Sequence, residues 1–149
     1  MREKIRFEIV HFRNFAGLVT LNLNGIRSAS AKGFVQWAEQ AGADCMGVQE
    51  VKAQADDVAG RFEQIAGLQG HFHFAQKKGY SGVGLYSRKA PSDVIVGFGA
   101  KEFDAEGRYV DGQWQHIRWL NGDQTHQGRH VRLEPGRFTL QRVKFYRYR

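Results

Sequence analysis

LVTLNLNGIR, residues 18–27, is the stretch from which the rest of the chain can be read. Leu18 to Leu23 are rich in β-formers and read as a strand, which Asn24-Gly25 stops. Strand alternation points Asn22 and Asn24 to the same side. Two amides at the carboxy end of a strand, followed by a glycine turn, can hold a phosphate, a metal or a nucleophilic water. The plainer reading is an Asn-Gly turn that needs no function.

Downstream, Lys32 to Ala41 reads as a helix, with Phe34, Trp37, Ala38 and Ala41 at helical spacing and Gly42 placed to end it. Asp44 to Gln49 reads as a short buried strand. A second helix is expected over Asp56–Leu68, with Val58, Phe62, Ile65 and Leu68 near one face. Strands follow at His71–Ala75 and Val83–Ser87, separated by the glycine-bearing QKKGYSG. Ala90-Pro91 makes a turn before a run from Val94 to Phe98, and another short strand is expected at Arg108–Val110. Strand–helix–strand followed by consecutive strands suggests a layered α/β fold with a mixed sheet. In the basic, weakly periodic tail, strands are conceivable at His116–Leu120 and Phe138–Tyr146.

Three zones differ in texture: an atypical lead-in over 1–17, an ordered α/β segment over 18–112, and a divergent tail over 113–149. The chain has 149 residues, 42% hydrophobic and 25% charged, which fits one ordinary globular domain and argues against wholesale disorder. No stretch approaches 18 uninterrupted apolar residues, so no membrane helix is expected. The first residues lack the apolar core of a secretory signal, and a lone Cys45 excludes an internal disulfide; both fit a cytoplasmic setting. The net charge of +7 suits a polyanionic partner, but the tail carries eight Lys/Arg against Asp123 and Glu134, so six of the seven charges belong to it.

Two further constellations carry chemistry. Glu50 and Lys52 follow the buried strand ending at Gln49, and a carboxylate there faces the crevice edge where α/β sheets bind ligands. Mg²⁺ takes hard oxygen ligands and commonly uses one or two protein carboxylates, an economy that Glu50 with an asparagine fits. The alternative is a solvated Glu–Lys strand end. If the two strands are neighbours, Asn22 and Glu50 meet. In the loop Gln76–Gly82, Lys77 and Lys78 beside the glycine-flanked Tyr80 suit a grip on a phosphate backbone, or are simply solvated in a flexible hairpin. His71 and His73 alternate without zinc-ligand spacing and read as surface or half-buried. Cys45 reads as an inert core thiol.

VTLNLNGIRSA, GADCMGVQEVKAQADD, HFAQKKGYSGVGLYSRKAP and EFDAEGRYV, in this order and spacing, resemble the exodeoxyribonuclease III and apurinic/apyrimidinic endonuclease branch of the endonuclease/exonuclease/phosphatase superfamily. The resemblance covers about residues 18–110 and corresponds to the amino-terminal half of that fold, a sandwich of two sheets flanked by helices. It implies Mg²⁺-dependent (or Mn²⁺-dependent) hydrolysis of phosphodiesters in double-stranded DNA, at 3′ ends or on the 5′ side of abasic sites. It also implies that Glu50 binds the metal, that Asn22 lies at the base of the site and that Asn24 supports the metal environment. Arg27, Lys52, Lys78 and Tyr80 then fall where the family contacts the DNA backbone.

The family's second half carries a Tyr-x-Pro segment, an Asp-x-Asn pair and a closing Asp-His, none of which occurs in residues 113–149. The tail therefore reads as an altered frame, a truncated product or a divergent ending, with part of the catalytic set absent. The alternatives to a nuclease are a non-catalytic DNA-binding remnant and a pseudogene-like product without stable activity. Half a sandwich leaves an apolar sheet face uncovered, and such a face needs either the tail or a second copy of the chain to cover it.

Overall fold

A computed structural model describes residues 7–12, 15–97, 99–114, 117–122 and 130–135, with side chains over 17, 19–97 and 99–113. β1 (Phe7–Phe12) lies antiparallel to β2 (Phe15–Asn22), and β2 lies parallel to β3 (Cys45–Gln49). A parallel pair needs a crossover. Two short helices provide it, α1 (Ile26–Ala31) and α2 (Phe34–Ala41). Gly33, at φ +95°, separates the helices, and Gly42, in the left-handed region, ends the second. The helix expected over Lys32–Ala41 therefore starts two residues later. The first helix is invisible to periodicity because only Ile26 and Ala29 of its small, polar sequence are buried.

The expected Asp56–Leu68 helix is not formed. One turn, α3 (Ala55–Val58), is capped as the Gln54 backbone N–H donates to Asp57 Oδ2 at 2.9 Å. The chain then breaks at Gly60 (φ +69°) and forms a tight hairpin of β4 (Gln64–Ile65) and β5 (Leu68–His73). Ala66 and Gly67, both at positive φ, make its two-residue turn. Val58, Phe62, Ile65 and Leu68 are all buried as their spacing suggested, but on a turn and a hairpin instead of one helical face. β6 (Val83–Ser87) occupies the expected span and pairs antiparallel with both β3 and β5. The first sheet is mixed, with order β1-β2-β3-β6-β5-β4. Its central strands β3 and β6 are buried at every position, as strands covered on both faces must be.

The cover on the second face is a four-stranded antiparallel sheet in sequence order: β7 (Asp93–Val96), β8 (Tyr109–Trp114), β9 (Ile117–Gly122) and β10 (His130–Pro135). A short turn of helix, α4 (Lys101–Asp104), joins its first two strands. β8 packs on β5 and β6, and β9 on β3 and β6. The cover is shared by β7 and β8, which begin within the 18–112 segment, and β9 from the tail. Strand β8 runs through position 112, where the composition changes, and β9 overlaps the strand conceived at His116–Leu120. The one conceived at Phe138–Tyr146 lies outside the described residues. Among the described residues no helix is long and apolar enough to cross a membrane.

Two close approaches depend on the lack of a side chain, one between β5 and β6 of the first sheet and one between the segments that follow β5 and precede β8. Gly84 and Gly70 flank Phe72, which stacks edge-on against Tyr86 with centroids 5.4 Å apart; a Cβ at Gly84 would come within 2.7 Å of the Phe72 ring. The Tyr86 hydroxyl donates to the buried Phe62 carbonyl at 2.5 Å, tying the α3 turn to the sheet. At Gly107 (φ +60°) a Cβ would lie 2.4 Å from the Ala75 backbone nitrogen, and backbone has nowhere to go. Gly42 has the same φ but open space around it. Gly107→Ala is accordingly expected to lower stability by at least about 3 kcal/mol and Gly42→Ala by about 1 kcal/mol. Urea unfolding of both variants checks this, and equal losses would contradict the close approach.

Candidate functional site

The register Asn22↔Gln49 brings the carboxy ends of β2 and β3 side by side. Pairing continues past the strands: Leu23 N–H donates to the Gln49 carbonyl (2.9 Å), Gly25 N–H to that of Glu50 (2.7 Å) and Ile26 N–H to that of Val51 (2.9 Å). On the other side, Val51 N–H donates to the Gly82 carbonyl (3.0 Å) and Lys52 N–H to that of Ser81 (2.8 Å). Three sequence-distant loops, around 22–27, 49–54 and 80–83, are thus laced together by main chain alone.

The lacing holds four side chains in a costly backbone conformation. Asn24, Glu50, Lys52 and Ser81 have φ of 47°, 50°, 50° and 45°; among the described non-glycine residues only Ala66 shares this region. Left-handed backbone costs an L-residue about 1–2 kcal/mol, and such residues cluster where geometry matters more than stability. Asn22 Oδ1 accepts the Asn24 N–H at 2.9 Å, an Asx-turn that shapes the end of β2.

Within this crevice the Lys52 ammonium lies 3.4 Å from Glu50 Oε2 and donates to Asn24 Oδ1. One carboxylate and one amide oxygen thus converge on a single positive charge, the donor set a hard divalent cation takes. Glu50, Asn24 and the adjacent Asn22 fit such an ion. Arg27 reaches the same loop from α1: its Nη1 pairs with Asp57 Oδ1 at 3.2 Å and its Nη2 lies 3.5 Å from the Lys52 carbonyl. Tyr80 and exposed Lys78 sit one loop away, joined to Lys52 through the Ser81 backbone bond. Asn24, Arg27, Glu50 and Lys52 are therefore in contact at adjoining loop ends with Asn22 beside them, while Lys78 and Tyr80 lie on the neighbouring loop.

Arg108 was not anticipated. It is only 8% exposed, donates from Nη2 to the Tyr80 hydroxyl at 3.0 Å, pairs through Nε with Glu106, and holds its guanidinium 5.8 Å from the Tyr80 ring centroid. Lys77 approaches the same ring at 5.4 Å. The available signal was an arginine opening a strand directly after a glycine, in EFDAEGRYV. His73 serves structure, its Nδ1 lying 2.9 Å from the Tyr109 carbonyl oxygen and 3.3 Å from the Tyr109 nitrogen across the two sheets. Among the described residues no three His, Cys, Asp or Glu side chains cluster as metal ligands. Burial, with Asp44 adding to it, pushes the Cys45 thiol far up, as expected of an inert core cysteine.

The fold and the crevice together define a two-sheet α/β sandwich with a polar site at the ends of neighbouring strands. A model of the endonuclease/exonuclease/phosphatase family matches residues 19–131, and the chain belongs to that family. An exodeoxyribonuclease of Bacillus subtilis is 33% identical over 101 residues, covering 67% of this chain and 39% of that protein. A DNA-(apurinic or apyrimidinic site) endonuclease of Dictyostelium discoideum is 27% identical over 104 residues, covering 70% and 28%. Among solved structures, an AP endonuclease from Archaeoglobus fulgidus superposes with a TM-score of 0.61 at 24% identity, over 71% of this chain and 40% of that one. A 3′ phosphatase from Neisseria bound to a product DNA hairpin gives 0.57 at 25% identity, over 70% and 40%. The chain spans about two fifths or less of the length of these relatives.

Two measurements test the local chemistry. Tyr80→Phe removes the acceptor for a buried guanidinium and is expected to cost about 1 kcal/mol in urea unfolding; no loss would mean the pair is incidental. Burial pushes the His71 imidazole below its ordinary value of 6.5. The unfolded chain then binds the proton more readily, so stability present above pH 6.5 is lost as pH falls from there toward the folded value. His71→Gln should flatten the wild-type decline in urea midpoint between neutral and mildly acidic pH.

Proposed function

We propose that this chain carries the metal-seating half of a DNA repair nuclease of the exodeoxyribonuclease III type, hydrolysing phosphodiesters at 3′ ends or at abasic sites in duplex DNA. The observation that carries it is the convergence of Glu50 and Asn24 on one cation position beside Asn22, at the crevice edge of neighbouring strands. Glu50, with Asn24 and Asn22, would hold Mg²⁺ or Mn²⁺. When bound, that ion supplies charge stabilisation at the phosphoryl oxygens and a more acidic water. Arg27, Lys52, Lys78 and Tyr80 take the role of positioning the DNA backbone, which needs cations and a hydroxyl and reads no sequence. Arg108 keeps the Tyr80 ring in place from behind, a positioning residue.

A second reading, DNA binding without cutting, rests on a different observation. Residues 113–149 contain no Asp-x-Asn or Asp-His to deprotonate a water or assist a leaving oxygen. The discriminating experiment is incision of a duplex holding one abasic site, with Mg²⁺, by wild type and Glu50→Ala. Under the nuclease reading, wild type cuts and the variant loses at least about 10²-fold in rate, the size typical of removing a charge-stabilising group. Binding that weakens steeply with salt, with no cutting by either protein, supports the second reading.

A further inference from the structure

The same two oxygens that suit a divalent cation are already engaged by Lys52. We infer that Lys52 is a built-in competitor for the divalent-cation seat, so that a metal ion binds by displacing its ammonium from Glu50 and Asn24. This rests on the reading of that seat and adds to it a device that sets metal affinity.

The geometry points this way for three reasons. First, the ammonium stands between the Glu50 and Asn24 oxygens, 3.4 Å from the carboxylate and hydrogen-bonded to the amide. A small divalent ion needs oxygen contacts of about 2.0–2.1 Å and several waters, a volume that the ammonium occupies. Second, two cations in one seat repel, while one carboxylate neutralises only one of their charges. Third, Lys52 is anchored in its main chain and loose in its side chain. Its N–H is bonded to Ser81, its carbonyl lies 3.5 Å from Arg27 Nη2, and its side chain is 34% exposed. The backbone therefore stays put while the four-carbon stem swings into solvent. The freed ammonium then lies at the rim of the crevice, beside the loop bearing Lys77 and Lys78, where a phosphate would meet it. Without the ion, the ammonium keeps Glu50 and Asn24 satisfied and the strained loop in shape.

Calorimetric titration of Mg²⁺ into the full chain, without DNA, tests this on wild type, Lys52→Met and Glu50→Gln. Methionine keeps the length of the side chain and removes its charge. Since a partly exposed ion pair is worth up to about 1 kcal/mol, Lys52→Met is expected to bind Mg²⁺ roughly five-fold more tightly than wild type. Glu50→Gln is expected to lose binding. In wild type labelled by ¹³C-dimethylation of lysines, the Lys52 resonance should shift during the titration with the same midpoint as the heat. If Glu50→Gln abolishes binding while Lys52→Met binds no more tightly than wild type, the displacement is overturned and the seat stands. If Glu50→Gln binds like wild type, or no variant binds Mg²⁺, the seat and the displacement fall together. Should Lys52→Met fail to fold, as judged by circular dichroism, the wild-type resonance decides: unmoved at saturation, it overturns the inference.

Discussion

The parallel pairing of β2 with β3, in the register that sets Asn22 beside Gln49, is the constraint on which the site depends. Side chains in a strand alternate between faces, so a slip of one residue would turn Asn22 away and carry Glu50 beyond the loop that supports it. Register is secured from two directions. β3 is buried at every position, which penalises any slip, and the main-chain ladder extends three bonds past the end of β2, as far as Ile26. Glu50 therefore needs nothing from its own side chain to be where it is. That separation of scaffold from chemistry lets a carboxylate face a cation without first being used to hold the fold.

The strain in the crevice has its counterweight in the same main-chain bonds. Four residues at positive φ would relax if they were free, and asparagine alone among them tolerates the conformation well. Each buried main-chain bond that a relaxed loop would leave unmade costs about 1–3 kcal/mol, comparable to the strain of the residue it restrains. The bonds from Val51 to Gly82 and from Lys52 to Ser81 are such restraints, and Gly82 itself must lie at φ +85°, within 3.4 Å of the Val51 side chain for any Cβ added there. Preorganisation here is a property of three loops jointly. The second sheet adds to it from below: Gly107 lets β8 approach β5, and Arg108, immediately after it, reaches Tyr80.

How much of this could be read from the residues follows from where the information lies. LVTLNLNG and DCMGVQ announce their strands through β-formers and abrupt glycine or polar ends, and a mixed α/β sandwich with Asn22 near Glu50 follows from them. Helices read from apolar spacing fared worse. Val58, Phe62, Ile65 and Leu68 repeat at helical intervals, yet Gly60 and the Ala66-Gly67 turn place them on a turn and a hairpin; periodicity reports burial, and several backbones can bury the same set. The second sheet was legible at β7 and at the start of β8, partly at β9, and not at β10, whose Val131 and Leu133 alternate with polar residues but sit in a tail of basic, weakly periodic composition. Arg108 could not be singled out because its burial depends on a contact 28 residues away. The Lys52 contact with Glu50 and Asn24 is likewise a matter of left-handed backbone, which no pattern of residue types encodes.

Charge bookkeeping along the crevice divides its cations into two kinds. Arg27 is paired with Asp57, Lys52 with Glu50 and Arg108 with Glu106. These three fix geometry, and each must exchange a carboxylate for a phosphate before it can grip one. Lys77 and Lys78 are exposed, and among the described residues no ion pair engages either. No carboxylate has to be given up at this pair, and Lys77 lies over the Tyr80 ring at 5.4 Å. Residues 1–112 carry a net charge of only about +1, so most of the chain's positive charge lies in residues 113–149. On the proposed reading, a DNA backbone would meet the two lysines beside Tyr80 first, and the paired cations would contribute only after contact.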